Sequence, residues 1–213
     1  MIQPPETIVY QGQFGQYTIT DSDRQGTIIY RAGLMTAALS FAAGSFLALG
    51  WGNHPLAIQA IAPLYAIFCL ALGVSLLTIH IYMVALHRLL QAFWAIGTLA
   101  SIFLAVQARE PLALFIYHHP LSILGIGFVF AALTGIYFKE AVCFNRLETK
   151  VLMPVVPLLL LGHLLGVLPV QGEEILLTIW ALLFIVFALR KTVQPIPADI
   201  GDKSVFEHLA AAK

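Results

Sequence analysis

Histidine is the residue type in this sequence best able to bind a cofactor, because a buried imidazole can ligate a metal, a haem iron or a chlorophyll. His163 and His80 lie in or beside long apolar stretches, so we predict them as candidate ligands of haem or chlorophyll. They fall at different depths, which is unsuitable for two ligands of one iron. The alternative for each is a histidine that hydrogen-bonds to a neighbouring helix.

A polar segment, 139–150, separates two apolar stretches. Its carboxylates and thiol, with His80 and His87, are a ligand mixture that a metal could use, but their spacing matches no zinc motif. Glu140 and Cys143 are three residues apart and are expected to share a helix face. We predict that this segment binds a partner protein. The candidate residues are Lys139, Glu140, Cys143, Arg146 and Glu148, with Tyr10 and Phe14 near the N-terminus.

Motifs of membrane enzymes do not occur in the sequence. It has no HExxH zinc helix, no CxxC pair and no glycine-rich phosphate loop. Gly44 and Ser45 lie in the first apolar stretch, whereas a rhomboid protease carries its GxSG serine on the fourth span. We therefore expect a protein that is not an enzyme.

The composition is that of a membrane protein. Of the 213 residues, 60% are hydrophobic and 10% are charged, against about 25% charged in an average soluble domain. This excludes a disordered chain, a nucleic-acid-binding protein and an ordinary cytosolic enzyme. We expect an all-α polytopic protein that spans the lipid bilayer and has lipid as a partner.

Six apolar stretches are long enough to cross a bilayer, which requires roughly 20 residues each. They are 32–51, 60–82, 89–107, 121–138, 151–170 and 174–189. With the N-terminus in the cytoplasm, Arg109 is the only one of the eleven Lys and Arg residues left outside. The positive-inside rule therefore predicts six spans with both ends inside.

These spans divide the chain into a cytoplasmic N-terminal segment (1–31), a six-helix transmembrane domain (32–190) and a cytoplasmic tail (191–213). Alternating β-branched residues at 7–10 and 17–20 predict a small β-hairpin, with a turn at 21–23 and a third strand at 27–30. An extended, docked tail is the alternative. The stretch 112–119 is predicted as a short interfacial helix before Pro120.

Small residues recur every fourth position in three spans and predict close helix contacts. The stripes are Gly33, Ala37, Ser40, Gly44 and Ala48 in span one, Gly127, Ala131 and Gly135 in span four, and Gly162 and Gly166 in span five. Spans one, four and five are thus predicted to form the packed centre. Span six is bulky and lacks glycine, which predicts a lipid-facing helix.

Two motifs carry a resemblance to a known family. They are Tyr10-Gln11-Gly12-Gln13-Phe14-Gly15 and the run Tyr137–Phe144, followed by Arg146-Leu147-Glu148. With the six spans, they resemble an uncharacterised six-helix integral membrane protein family of cyanobacteria and plastids. The resemblance implies a thylakoid or plasma membrane. It brings no established activity and no catalytic residues.

Three functions are consistent with this sequence. The first is a non-enzymatic protein that binds other membrane proteins through its cytoplasmic face, as an assembly factor. The second is a haem- or chlorophyll-binding protein that uses His163 or His80. The third is a transporter or channel for a small neutral solute, since the middle of the spans carries no charge that would couple ion transport.

Overall fold

The computed structural model describes residues 8–211. In chain order the elements are β1 (Val9–Gln11), β2 (Gln16–Thr18), α1 (Asp21–Trp51), α2 (Pro55–Thr78), α3 (Val84–Gln107), α4 (Leu112–His118), a 3₁₀ turn (Pro120–Ser122), α5 (Ile123–Phe144), α6 (Leu147–Leu164), α7 (Val170–Val193), α8 (Ile196–Ile200) and α9 (Lys203–Ala211). Six of these helices are long and apolar enough to cross a membrane. The six-span prediction is confirmed, and the short helix before Pro120 is present as α4.

The N-terminal hairpin is also present. β1 and β2 pair antiparallel with Tyr10 opposite Tyr17, and the two rings stack 5.5 Å apart. Gly15 closes the turn with a φ of +149°, which favours glycine, and its carbonyl accepts a hydrogen bond from the Gly12 amide. The hairpin contains two strands rather than three.

The third strand and the turn before it were wrong, because α1 already begins at Asp21. The Thr20 hydroxyl accepts a hydrogen bond from the Asp23 amide at 3.2 Å, and the Asp23 carboxylate accepts one from the Thr20 amide at 2.8 Å. This reciprocal capping box starts a helix. It outweighs the β propensity of the β-branched residues at 27–29.

The six long helices form a ring in sequence order. Each packs on the next, and α7 returns to pack on α1. The predicted centre of spans one, four and five was therefore wrong: α1 packs mainly on α2 and α7, while α5 packs on α3 and α6. Of the small residues in α1, Gly33 makes the close contact, since a Cβ there would lie 2.6 Å from the Ser75 hydroxyl of α2.

Aromatic side chains fill the middle of the ring. The Phe41 and Trp180 rings lie 4.4 Å apart, and Phe130 meets Trp180 edge-on at 5.1 Å. Trp180 and Phe184 of α7 are almost fully buried. The prediction of a lipid-facing sixth span was wrong for this face, because Trp180 and Phe184 fill the core. Another face of α7 is exposed, as predicted, at Ile175, Leu182 and Leu189.

Candidate functional site

A buried ionic cluster lies at the inner ends of the helices, the side we assign to the cytoplasm. Lys191, in the last turn of α7, is fully buried and donates hydrogen bonds to both carboxylate oxygens of Glu140 on α5, at 3.1 and 3.0 Å. Lys191 also pairs with Asp199 of α8. Buried charges are stable only when they are paired in this way.

Helix α1 joins the same cluster through two consecutive residues. Arg31 donates to one oxygen of Asp199 from Nε at 2.8 Å and from Nη2 at 2.6 Å. The Tyr30 hydroxyl lies 3.5 Å from Glu140, and the carboxylate also accepts from Lys139 at 2.9 Å. One cluster thus connects α1, α5, α7 and the short helix α8.

A second group of charges extends the cluster to α6. Glu148 accepts from Arg190 of α7 at 2.7 Å, and Arg146 donates to Gln194. The buried Arg146 Nη1 and Glu148 Oε1 atoms lie 3.7 Å apart, and neither has a hydrogen-bond partner among the described residues. Cations surround the Phe144 ring, with Lys191 Nζ 4.7 Å from its centroid. The network ties the inner helix ends together.

The hairpin (residues 8–18) and the end of the tail (residues 202–209) contact each other outside the ring. We call these two segments together the clasp. The Asp202 carboxylate accepts from the Gln13 amide at 2.6 Å, and the Ser204 hydroxyl accepts from the Phe14 amide at 3.0 Å. The Phe14 ring stacks on His208 of α9 at 4.0 Å. Hydrogen bonds, first from the Ser204 hydroxyl and then from the Gln13 amide, lower the pKa of Asp202.

Two further contacts fix the clasp to the membrane domain. Lys203 donates to Asp23 of α1 at 2.7 Å, and the Tyr82 hydroxyl accepts from the Asp202 amide. The Tyr82 ring packs on Phe206 at 4.7 Å. The tail therefore rests on the first turn of α1 and on the loop that follows α2.

The two candidate cofactor ligands lie at opposite ends of the ring, so they cannot meet at one metal. His80 is half-buried in the loop after α2, where burial lowers its pKa and favours the neutral ring. His163 lies near the outer end of α6, with Nδ1 2.7 Å from the Glu173 carboxylate of α7. Since an ionised carboxylate can only accept, Nδ1 carries the proton. Among residues 8–211, the buried Nε2 has no hydrogen-bond partner.

The structure brings together four of the predicted partner-binding residues: Lys139, Glu140, Arg146 and Glu148. Cys143 is exposed while Glu140 is fully buried, so the expectation of a shared face was wrong. Tyr10 and Phe14 belong to the hairpin and lie in a different part of the face that we assign to the cytoplasm. Within residues 8–211, no three His, Cys, Asp or Glu side chains are grouped to hold a metal ion.

Sequence reasoning missed Lys191, Asp199 and Arg31 as members of the cluster. Lys191 and Glu140 are 51 residues apart, and no local pattern links them. A signal was present in the position of Lys191, since it lies in the last turn of an otherwise apolar helix, where a buried cation requires a carboxylate partner.

A small cavity opens between α1, α2, α5 and α7. Its volume is about 180 Å³, and its lining is apolar except for the hydroxyls of Ser40, Ser45 and Tyr65. Tyr65 makes a 2.8 Å hydrogen bond with Ser101. The cavity lies beside the aromatic core and away from the ionic cluster.

Comparisons with known proteins agree with this architecture. Neither the curated proteins nor the solved structures contain a match to the chain. The model of an uncharacterised integral membrane protein family, DUF2301, matches residues 74–208, which include four complete spans, the end of α2 and the ionic residues of α5 to α8. The chain belongs to this family of multi-pass integral membrane proteins.

Proposed function

We propose that this protein is a non-enzymatic partner-binding protein, and that the clasp presents the surface that another membrane protein recognises from the cytoplasm. One observation carries the proposal: apolar side chains are exposed on a folded, uncharged hairpin outside the ring of spans. They are Ile8, Val9 and Phe14 on the hairpin and Leu209 on α9, with exposures of 60%, 55%, 49% and 45%.

Composition supports the choice of a protein partner. Residues 8–20 contain no charged side chain. Depletion of charge with enrichment of aromatic residues is typical of the core of a protein interface. Nucleic acid would require a basic surface, which this hairpin lacks.

Position supports it as well. The tail part of the clasp contacts Asp23 in the first turn of α1 and Tyr82 in the loop after α2, at the inner ends of these helices. Helix α9 packs on the hairpin through His208 and Phe14. Among the residues that the structure describes, one edge of β1 pairs with no strand, so it offers main-chain groups to an extended partner segment. A photosynthetic or plasma membrane is the setting that the family resemblance implies.

The buried residues of the ionic cluster would act on such a partner only indirectly. Glu140 and Arg146 hold helices together, so their substitution would disturb the fold as well as any partner. Substitutions at exposed positions test the proposed binding surface more directly, because they leave the helix contacts in place. Cys143 and Phe14 are the exposed members of the predicted set.

A site-specific cross-linker tests the proposal. Benzoylphenylalanine would replace Val9 in one variant and Leu209 in another, with Leu161, which is exposed on the membrane part of α6, as the control. We expect both clasp variants to capture the same membrane protein in native membranes, and Ile8→Asp to abolish the capture. Adducts to lipid alone, or to a second copy of this chain, would contradict the proposal.

One observation favours haem or chlorophyll binding as a second candidate. The Glu173 carboxylate orients His163 through Nδ1, and Nε2 has no partner in the described part of the chain, which is the arrangement of a metal-ligating histidine. The protein purified from native membranes in mild detergent should then show a stoichiometric absorption band. That band should disappear in His163→Ala and persist in His119→Ala. A colourless sample from gently handled membranes would contradict this candidate.

A further inference from the structure

We propose that Arg31, Lys191 and Gln194 form an anion site, and that Asp199 of the tail is an internal ligand which a phosphate group can replace. The observations behind this inference differ from those behind the proposed partner surface, although release of the tail would also open the clasp. It rests on the way a single carboxylate from a short segment is held by groups of the membrane domain.

The donors around Asp199 are those of a phosphate or carboxylate site. One oxygen receives Nε and Nη2 of Arg31, and the other receives the Lys191 ammonium and the Gln194 amide, the last at 3.0 Å. The site is built, since the Lys191 side chain is fully buried and only 11% of the Arg31 side chain is exposed. A guanidinium combined with an ammonium binds phosphate oxygens strongly.

The charge balance favours an anion whenever Asp199 leaves. Lys139, Arg31 and Lys191 would then face Glu140 as the remaining carboxylate of this group. Such an excess of buried positive charge is unstable without a counter-ion. An incoming anion would therefore be bound where Asp199 had been.

The segment that supplies Asp199 is suited to exchange. α8 spans Ile196–Ile200 and is bounded by Pro195 and by Gly201, whose φ is +74°. Beyond it, the tail is fastened by the clasp, where the ion pair between Lys203 and Asp23 is partly exposed. Exposed ion pairs contribute little free energy, so this pair adds little to the contacts that keep Asp199 in place.

The depth of the site makes it accessible to two sources of phosphate. Lys191 lies in the last turn of α7, at the level where the spans end. Phospholipid phosphates lie at this level, and a soluble phosphate can also reach it from the cytoplasm. The experiment below distinguishes the two sources.

The first measurement is anion rescue of Asp199→Ala in detergent. Inorganic phosphate should raise its Tm saturably, by about 5 °C, above a sodium chloride control of equal ionic strength. Asp202→Ala is the matched control, because Asp202 accepts only from amides and a hydroxyl, and its Tm should show no phosphate-specific gain. If Asp199→Ala does not insert, Asp199→Asn, which keeps the side-chain volume, carries the same measurement. A Tm that responds equally to both salts would overturn the site.

The second measurement tests exchange in the full chain with Asp199 in place. Spin labels on the exposed Cys143 and on Leu209→Cys report the distance between α5 and the tail. Nanodiscs of phosphatidylcholine should give one docked distance. A longer population that appears with phosphatidic acid alone assigns the site to a lipid headgroup, and one that also appears with inorganic phosphate assigns it to a soluble anion. A single distance under all three conditions would overturn the exchange.

Discussion

The ammonium of Lys191 lies 3.0 Å from the Glu140 carboxylate, and neither side chain is accessible to solvent. The pair joins α7 to α5 across the inner end of the ring, and Asp199 and Arg31 extend it to α8 and α1. Removing one partner of a buried pair leaves an uncompensated charge, which costs about 3–5 kcal/mol. The inner end of the bundle is thus held together by charge pairing as well as by apolar packing.

The pair itself predicts strong coupling between the two residues. Lys191→Met and Glu140→Gln should each lower the free energy of unfolding by about 3–5 kcal/mol, because each removes one charge from a buried network and leaves the remaining charges unbalanced. The double variant should lose clearly less than the sum of the two. Denaturation in detergent measures all three values.

Lys150→Met is the control for this cycle. Lys150 is exposed and hydrogen-bonds only to Asn145 among the described residues, so its loss should change stability by no more than about 0.5 kcal/mol. Additive effects of Lys191→Met and Glu140→Gln would show that the two side chains do not interact as the structure places them.

The contact between α1 and α2 predicts opposite results at two glycines of the same stripe. A Cβ at Gly33 would lie 2.6 Å from the Ser75 hydroxyl and 2.8 Å from the Ala71 carbonyl, whereas a Cβ at Gly44 would meet nothing within 4 Å. Gly33→Ala should therefore destabilise the protein by about 1–3 kcal/mol. Gly44→Ala should be neutral or slightly stabilising. Equal thermal shifts for the two variants would argue against this helix pairing.

The clasp should open in acid. Since the folded-state pKa of Asp202 is lowered, its contribution to docking is fully present above the ordinary aspartate pKa of about 4. It is lost as the pH falls through the lowered value. Hydrogen exchange of the Gln13 and Ser204 amides should accelerate relative to the intrinsic rate over this range. In Asp202→Asn, docking should be weaker, and the acid dependence that remains should come from the ion pair of Asp23 with Lys203; an unchanged acid transition there would show that Asp202 does not cause it.

The spans could be predicted from the sequence because length, apolar content and charge placement are local properties. The start of α1 could have been predicted too, since Thr20 and Asp23 have capping-box spacing. The β-branched residues that follow were instead interpreted as a strand. That error shows a local propensity overridden by a stronger local signal.

The helix partners could not be predicted in the same way. Small residues mark where a close approach is sterically allowed, but they do not say which helix approaches. Gly33 meets α2, while Gly135 accommodates Leu90 of α3. Trp180 and Phe184 are buried because they fill the centre of the ring, a volume that is defined only after all the helices are placed.

The candidate site was predicted in part for the same reason. Glu140, Lys139, Arg146 and Glu148 are close in sequence, so their segment stood out. Lys191 and Asp199 reach these residues only because α7 packs on α1 and α8 then packs beside α1. Their pairing depends on tertiary structure and leaves no sequence spacing to detect.

Co-purification from native membranes tests the central claim, that the clasp binds a partner, most directly. Wild type, Val9→Asp and Met83→Asp would be compared at equal insertion; Met83 is an exposed apolar residue of the cytoplasmic face outside the hairpin and α9. If the clasp binds a partner, wild type and Met83→Asp retain the same stoichiometric membrane protein and Val9→Asp loses it. Retention of that protein by Val9→Asp would show that the clasp is not the binding surface.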